Sequence, residues 1–293
     1  MTGGLIELDV LNYVFFQRAL IAGVLAALAC GIIGVYVVVR RSVFLADGIS
    51  HAAFGGIGIA VFVGLEPLLG ALLASLAMAA VVGIADIRTR LREDSVIGIL
   101  WVLGMAIGFV FLYRAPPEHL LGISVSSLFF GNILYIQESD LYLMAALCAV
   151  IIVVVALLYK ELLALSFDEE LARISGVHTG TLSIILLCLI ALTVVLLINV
   201  VGVILIVALL AIPAVTAGLF TYDMRKMMLL AVIFGIICCI GGLFMSDAWD
   251  LPSGSTIVLL AGGVFGICFV WKNARTRFAF YRTNSTDSSG KME

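Results

Sequence analysis

The sequence predicts an all-α protein, a polytopic bundle of transmembrane helices, and three observations carry that expectation. Of 293 residues, 63% are hydrophobic and only 12% are charged, against roughly half and a quarter in soluble domains. The apolar residues gather in runs long enough to cross a bilayer core about 30 Å thick, which takes about 20 residues of helix. The basic residues, finally, fall in alternate connections between those runs. Too few Asp, Glu, Lys and Arg remain to coat a soluble globule. That excludes a soluble enzyme, a disordered chain and a nucleic-acid binder with a basic face. A membrane β-barrel would show short alternating segments instead.

Taken in order, the apolar runs occupy about 13–39, 49–64, 68–85, 96–113, 140–158, 179–198, 200–220, 227–245 and 256–271. About nine spans are expected, or eight if 49–64 or 200–220 is broken or re-entrant. The run 121–136 is too polar and glycine-broken for a span and reads as re-entrant or interfacial. With nine spans, Arg40, Arg41, Arg88, Arg90, Arg92, Lys160, Arg173, Arg225, Lys226, Lys272, Arg275, Arg277, Arg282 and Lys291 share one side, leaving Arg18 and Arg114 on the other. Lys and Arg are retained in the cytoplasm, so the N-terminus is expected outside and the C-terminus inside.

The outer side collects Glu7, Asp9, Glu66, Glu118, Glu138, Asp140, Asp247 and Asp250. These acids either concentrate cations or dock a partner, or they are what remains once the basic residues are kept inside. One membrane domain, 1–272, is expected, followed by a polar tail, 273–293, whose composition suits a disordered segment. The N-terminus has neither a basic n-region nor a small-residue cleavage site, so no removable signal is expected. The six cysteines lie inside apolar runs without C-x-x-C spacing, unlike a disulfide framework or a zinc ribbon.

Four segments carry candidate chemistry. In the stretch Phe44–Gly58, Asp47 and His51 sit four residues apart and so share a helix face. Ionisable groups inside a membrane are costly and usually mark an ion or substrate path. Carboxylate plus imidazole suits zinc, manganese or ferrous iron. The same spacing equally serves a helix-capping Asp followed by a hydrogen-bonded histidine near the interface. Gly55, Gly56 and Gly58 follow at once and allow close helix approach, as does Gly104-x-x-x-Gly108. In the cytoplasmic stretch Ser166–His178, Ser166 and Glu169 read as a capping box. Asp168 and Glu170 suit the N-terminus of a short helix. Phe167, Leu171 and Ile174 make its apolar stripe, with Ala172 between them, and Gly176 supplies the stop. An acidic polar face suits an anionic leaflet poorly, so docking into a partner protein is the better use of this helix. Pro213 interrupts a span, and Pro252 and Gly254 open the last one. These positions serve either gating or ordinary helix irregularity. There is no G-x-x-x-x-G-K-[ST] loop to hold ATP phosphates and no H-E-x-x-H of a zinc protease.

The segments RRSVFLADGISHAAFGGIGIA (40–60), REDSVIGIL (92–100), LFFGNIL (128–134), SFDEELARISGV (166–177), VVGVILIVALLAIPAVTAG (200–218) and DLPSGSTIVL (250–259) occur together in this order. In them the chain resembles the membrane permeases of bacterial zinc, manganese and iron ABC importers, from about residue 13 to 272. It departs from that pattern in its polar C-terminal extension and in Ala46, where a glycine is common. The resemblance implies a prokaryotic cell-membrane location and a fold related to the larger cobalamin-type importers. It implies a non-enzymatic subunit with no permanently bound cofactor, which carries Zn2+, Mn2+ or Fe2+ along a path lined by Asp47 and His51. Its implied partners are a second copy forming the pore, an ATP-hydrolysing ATPase pair that receives the coupling helix 166–176, and an extracytoplasmic metal receptor. Siderophore or cobalamin import and ATP-independent metal transport are the alternatives.

Overall fold

A computed structural model describes residues 12–88, 93–120, 128–129, 131, 133 and 136–289. Within them lie α1 (Val14–Val39), α2 (Val43–Val63), α3 (Pro67–Arg88), α4 (Glu93–Arg114), α5 (Glu138–Leu157), α6 (Tyr159–Phe167), α7 (Glu169–Ile174), α8 (Thr179–Gly218), α9 (Met224–Trp249) and α10 (Ser253–Ser289). Among the described residues the chain is all helical, and eight helices are long and apolar enough to cross a membrane. The run 121–136 lies largely outside the described residues. The last helix continues past residue 272, to Ser289.

Local chemistry sets several helix starts. Pro67 begins α3, where its missing N–H interrupts no helical bond. Gln137 and Asp140 cap α5 reciprocally, and the Asp223 carboxylate accepts from the backbone N–H groups of Arg225 and Lys226 at the start of α9. Helix α1 is the hub. Its alanines and glycines, from Ala19 to Gly34, are buried on every side, as expected of a helix that is apolar all round.

Close contacts fix the directions of the helices. Gly48 and Gly55 of α2 meet Ile97 and Gly104 of α4 in ascending order, so these two helices run parallel. Gly48 and Gly56 meet Met78 and Gly70 of α3 in descending order, so α3 runs against both. Gly23 and Gly31 of α1 meet Cys239 and Val232, which makes α9 antiparallel to α1. One end of the bundle therefore gathers Arg40, Arg41, Lys160, Arg173, Arg225, Lys226, Lys272 and Arg275. The opposite end holds Glu66, Glu138, Asp140 and Asp250, with Arg18 paired to Glu138 at 3.2 Å. The charge sorting read from the sequence is thus a sorting in space, with residue 13 and residue 275 at opposite ends.

The runs 179–198 and 200–220, expected as separate spans, form one 40-residue element, α8, with a single break. A straight helix of that length would measure about 60 Å. The chain instead turns back. Val195 lines a cavity with Glu66 and Asp140 at the acidic end, whereas Arg225, just beyond α8, stacks on Tyr159 at the basic end. The reversal falls at Gly202 (φ 73°, ψ 170°), leaving a full-length rising limb and a shorter returning one, Ile206–Gly218. Pro213, expected to interrupt the helix, stays within helical backbone. Gly202 has the φ/ψ region that only glycine occupies freely, and a Cβ there would strike the backbone of Phe129 and Gly131.

Gly202→Ala is accordingly expected to destabilise the protein by at least the about 1–3 kcal/mol of such strain. Gly262→Ala, whose Cβ would meet nothing within 4 Å, should leave the thermal unfolding midpoint unchanged. Equal midpoints for the two variants would refute the assignment.

Candidate metal path and partner-docking helix

Asp47 and His51 both lie on α2, one turn apart. The His51 Nε2 is 3.5 Å from an Asp47 carboxylate oxygen, with the imidazole side chain 9% and the carboxylate 29% exposed. The helical spacing thus does bring the two groups together. Neither is a capping residue, because α2 begins at Val43. The other ring nitrogen of His51, Nδ1, is buried and has no hydrogen-bond partner among the described residues. A buried imidazole with one nitrogen unpaired and the other beside a carboxylate is under-satisfied in the isolated chain.

Four neighbours shape the site. Trp101 of α4 packs edge-on against the His51 ring, with centroids 5.1 Å apart. Ile97 and Gly98 complete the wall, and Asp47 faces a cavity of about 330 Å³ lined also by Phe44 and Trp101. Its lining comes from α2 and α4 alone, and Phe44 and Trp101 in that lining are exposed, so it opens on the outer surface of that pair. Next to it α4 exposes Ile99, Val102 and Leu103. Among the described residues no group of three or more His, Cys, Asp and Glu side chains is placed to hold a metal ion. The pair therefore offers two ligands, fewer than a closed tetrahedral site uses.

The glycines after His51 seat the helix. A Cβ on Gly55 would lie 2.8 Å from the Gly104 carbonyl oxygen. Gly56 abuts the Gly70 carbonyl and Gly58 the Gly108 carbonyl. Such small-residue contacts let the backbones of α2, α3 and α4 touch. They hold the Asp47–His51 turn at a fixed distance from Trp101. Gly70 and Trp101 escaped the reading of the sequence. Nothing local marks either one, since each gains its role only from a helix distant in the chain.

At the basic end, α7 carries the second feature, with one correction to its start. Ser166 does not cap it: its hydroxyl donates to the Leu162 carbonyl of α6. Asp168 is the cap, accepting from the Leu171 N–H at 2.9 Å. A serine and an aspartate two residues apart are both good caps, and the extended backbone at Asp168 decides between them. Gly176 (φ 85°) ends the helix. There the Gly176 and Val177 N–H groups return to the Arg173 and Ala172 carbonyls, which is a Schellman closure. Ala172 is buried, while Phe167, Leu171 and Ile174 are exposed, Ile174 at 83%. Glu169 ties this helix to the junction of α1 and α2 through Arg40, at 3.4 Å.

His119 is half-buried, with Nδ1 3.1 Å from the Val61 carbonyl oxygen. The six cysteines are free, four of them buried. Pro252 and Gly254 frame the start of α10, where the Pro252 carbonyl accepts from the Thr256 N–H and hydroxyl.

These features define a multi-pass helical membrane protein with an acid–imidazole pair opening on its flank and a protruding apolar helix at its basic end. The chain belongs to the ABC 3 transport family, which it matches over residues 12–272. It is 40% identical to an uncharacterized membrane protein of Synechocystis sp., over 89% of this chain and 92% of that one. It is 34% identical to the manganese transport system membrane protein MntC of Listeria monocytogenes, over 89% and 92% of the two chains. In three dimensions it is similar to a chain of the PsaBC complex of Streptococcus pneumoniae, solved with a Fab. That likeness has a TM-score of 0.80 at 30% identity and covers 90% of this chain and 94% of the other.

Proposed function

We propose that the chain is the permease subunit of an ATP-binding-cassette importer for a divalent transition metal ion. Manganese is the first candidate, with zinc and ferrous iron as alternatives. The observation that carries this reading is the Asp47–His51 pair, 3.5 Å apart in a cavity on the bundle's flank. Relatives named as manganese transport proteins at 32–34% identity support the choice of metal. A second copy, set flank to flank, supplies another Asp47 and His51, which makes four ligands across the pore. Four modest ligands of mixed oxygen and nitrogen type accept manganese, iron or zinc.

The basic end is cytoplasmic in this reading, and the acidic end faces the metal receptor. ATP is hydrolysed on separate subunits beneath, and α7 docks into them through Phe167, Leu171 and Ile174. When ATP binding shifts α7, the Glu169–Arg40 contact passes the displacement to the start of α2, about one turn before Asp47. Asp47 and His51 then move against Trp101, so that one state binds the ion better than the other. A state-dependent affinity is what lets the cycle move an ion at all. Pro213, Pro252 and Gly254 are candidate flexing points for the same change.

Reconstitution of the chain with its ATPase in liposomes tests the proposal. Manganese uptake that requires ATP, with zinc and ferrous iron competing, is expected. Metal entry through the chain alone, without ATP, would overturn it.

A further inference from the structure

At the basic end, between α1, α5, α6 and α9, lies a cavity of about 700 Å³ distinct from the Asp47–His51 site. Its wall is apolar, made by Ile152, Val155, Leu157 and Met228 among others, and its mouth carries Lys160 and Arg225. The Arg225 guanidinium is held 4.9 Å above the Tyr159 ring, so its position is set before any ligand arrives. Among the described residues, Lys160 has no hydrogen-bond or ion-pair partner. Glu161 offsets one charge, leaving the mouth with an excess of one cation.

The depth of the cavity identifies its surroundings. Tyr159 stands where α6 takes over from α5, and the same end carries a second aromatic–cation pair, Arg275 over Trp271 at 5.9 Å. Trp271 is itself beside Phe220. Tyr and Trp with Arg at helix ends mark the headgroup level of a bilayer. A cationic mouth at that level above an apolar groove at acyl depth matches one amphiphile in both halves.

We propose that this cavity is a binding site for an anionic phospholipid. Lys160 and Arg225 hold its phosphate, and one acyl chain lies along Ile152, Val155 and Met228. Apolar wall and charged mouth are both needed: a free phosphate leaves the groove empty, and a zwitterionic lipid presents its own cation to Lys160 and Arg225.

Native mass spectrometry of the purified full-length chain, titrated with phosphatidylglycerol, tests the site. Phosphatidylglycerol is expected to stay bound in preference to phosphatidylcholine. Lys160→Gln and Arg225→Gln should each weaken retention about fivefold, the worth of one cation near an anionic leaflet. Lys226→Gln, which removes a nearby charge outside the cavity, should leave retention unchanged. Ala156→Phe fills the groove from an exposed position and should also abolish retention with both cations in place. Monodisperse elution and an unchanged unfolding midpoint in phosphatidylcholine nanodiscs establish that each variant is folded. Equal loss in Lys226→Gln, normal retention in Ala156→Phe, or full competition by glycerol phosphate would each overturn the proposal.

Discussion

Asp47→Asn and His51→Ala are each expected to abolish manganese uptake, by at least about 100-fold. Altering even the outer partners of metal ligands commonly costs 10–100-fold, and among the described residues no other Asp or His lines the cavity. Removing either ligand would leave one donor per chain and at most two per pore. Neither change should unfold the protein. Asp47 is only partly buried, and His51 already has an unpaired ring nitrogen, so little hydrogen bonding is lost. The measurement is radiolabelled manganese uptake in cells, with the amount of assembled complex quantified beside it. Normal uptake in either variant would remove the pair from the ion path. Loss of uptake together with loss of the complex would show a structural role instead.

The second large effect is expected at α7. Leu171→Asp and Ile174→Asp should release the ATPase subunit on purification and so eliminate ATP-driven uptake. Both side chains are more than 60% exposed, so a charge there costs the isolated chain little. Buried under a partner, the same charge is costly without a counter-ion. Arg40→Gln should act differently. It breaks a single contact at 3.4 Å, worth about 1 kcal/mol or less to stability. The complex should therefore stay assembled and continue to hydrolyse ATP while uptake falls. Affinity purification followed by an ATPase assay separates these outcomes. Retention of the ATPase by both aspartate variants would overturn the docking role of α7.

Particular residues show how far the sequence could be read. The apolar runs located every long helix, because crossing a bilayer demands about 20 apolar residues in a row and leaves little ambiguity. Asp47 and His51 were legible as a pair because an i,i+4 relation is settled within one turn of helix. The resemblance, and not the spacing, favoured the metal path over a capping role. The start of α7 was misplaced by two residues, onto Ser166. Both serine and aspartate cap well, and only the backbone turn at Asp168 distinguishes them. The reversal in α8 was legible as two apolar runs but not as a turn at Gly202. A glycine among valines carries no local sign of a φ of 73°, and Pro213 was the more conspicuous breaker.

The sequence by itself determined the class of fold, the positions of the helices, the segregation of charge between the two ends and the acid–imidazole pair. Each of these rests on interactions within one helix or between a helix and the surrounding membrane. The tertiary structure alone decided that Gly70, Gly104 and Gly108 receive the glycines of α2, and that Trp101 packs on His51. It also decided that the pair opens on the flank of the bundle, and that Lys160 and Arg225 meet over an apolar cavity. Those facts depend on contacts between residues distant in the chain. Ridge-and-groove packing of apolar helices, which selects such contacts, leaves almost no trace in local composition.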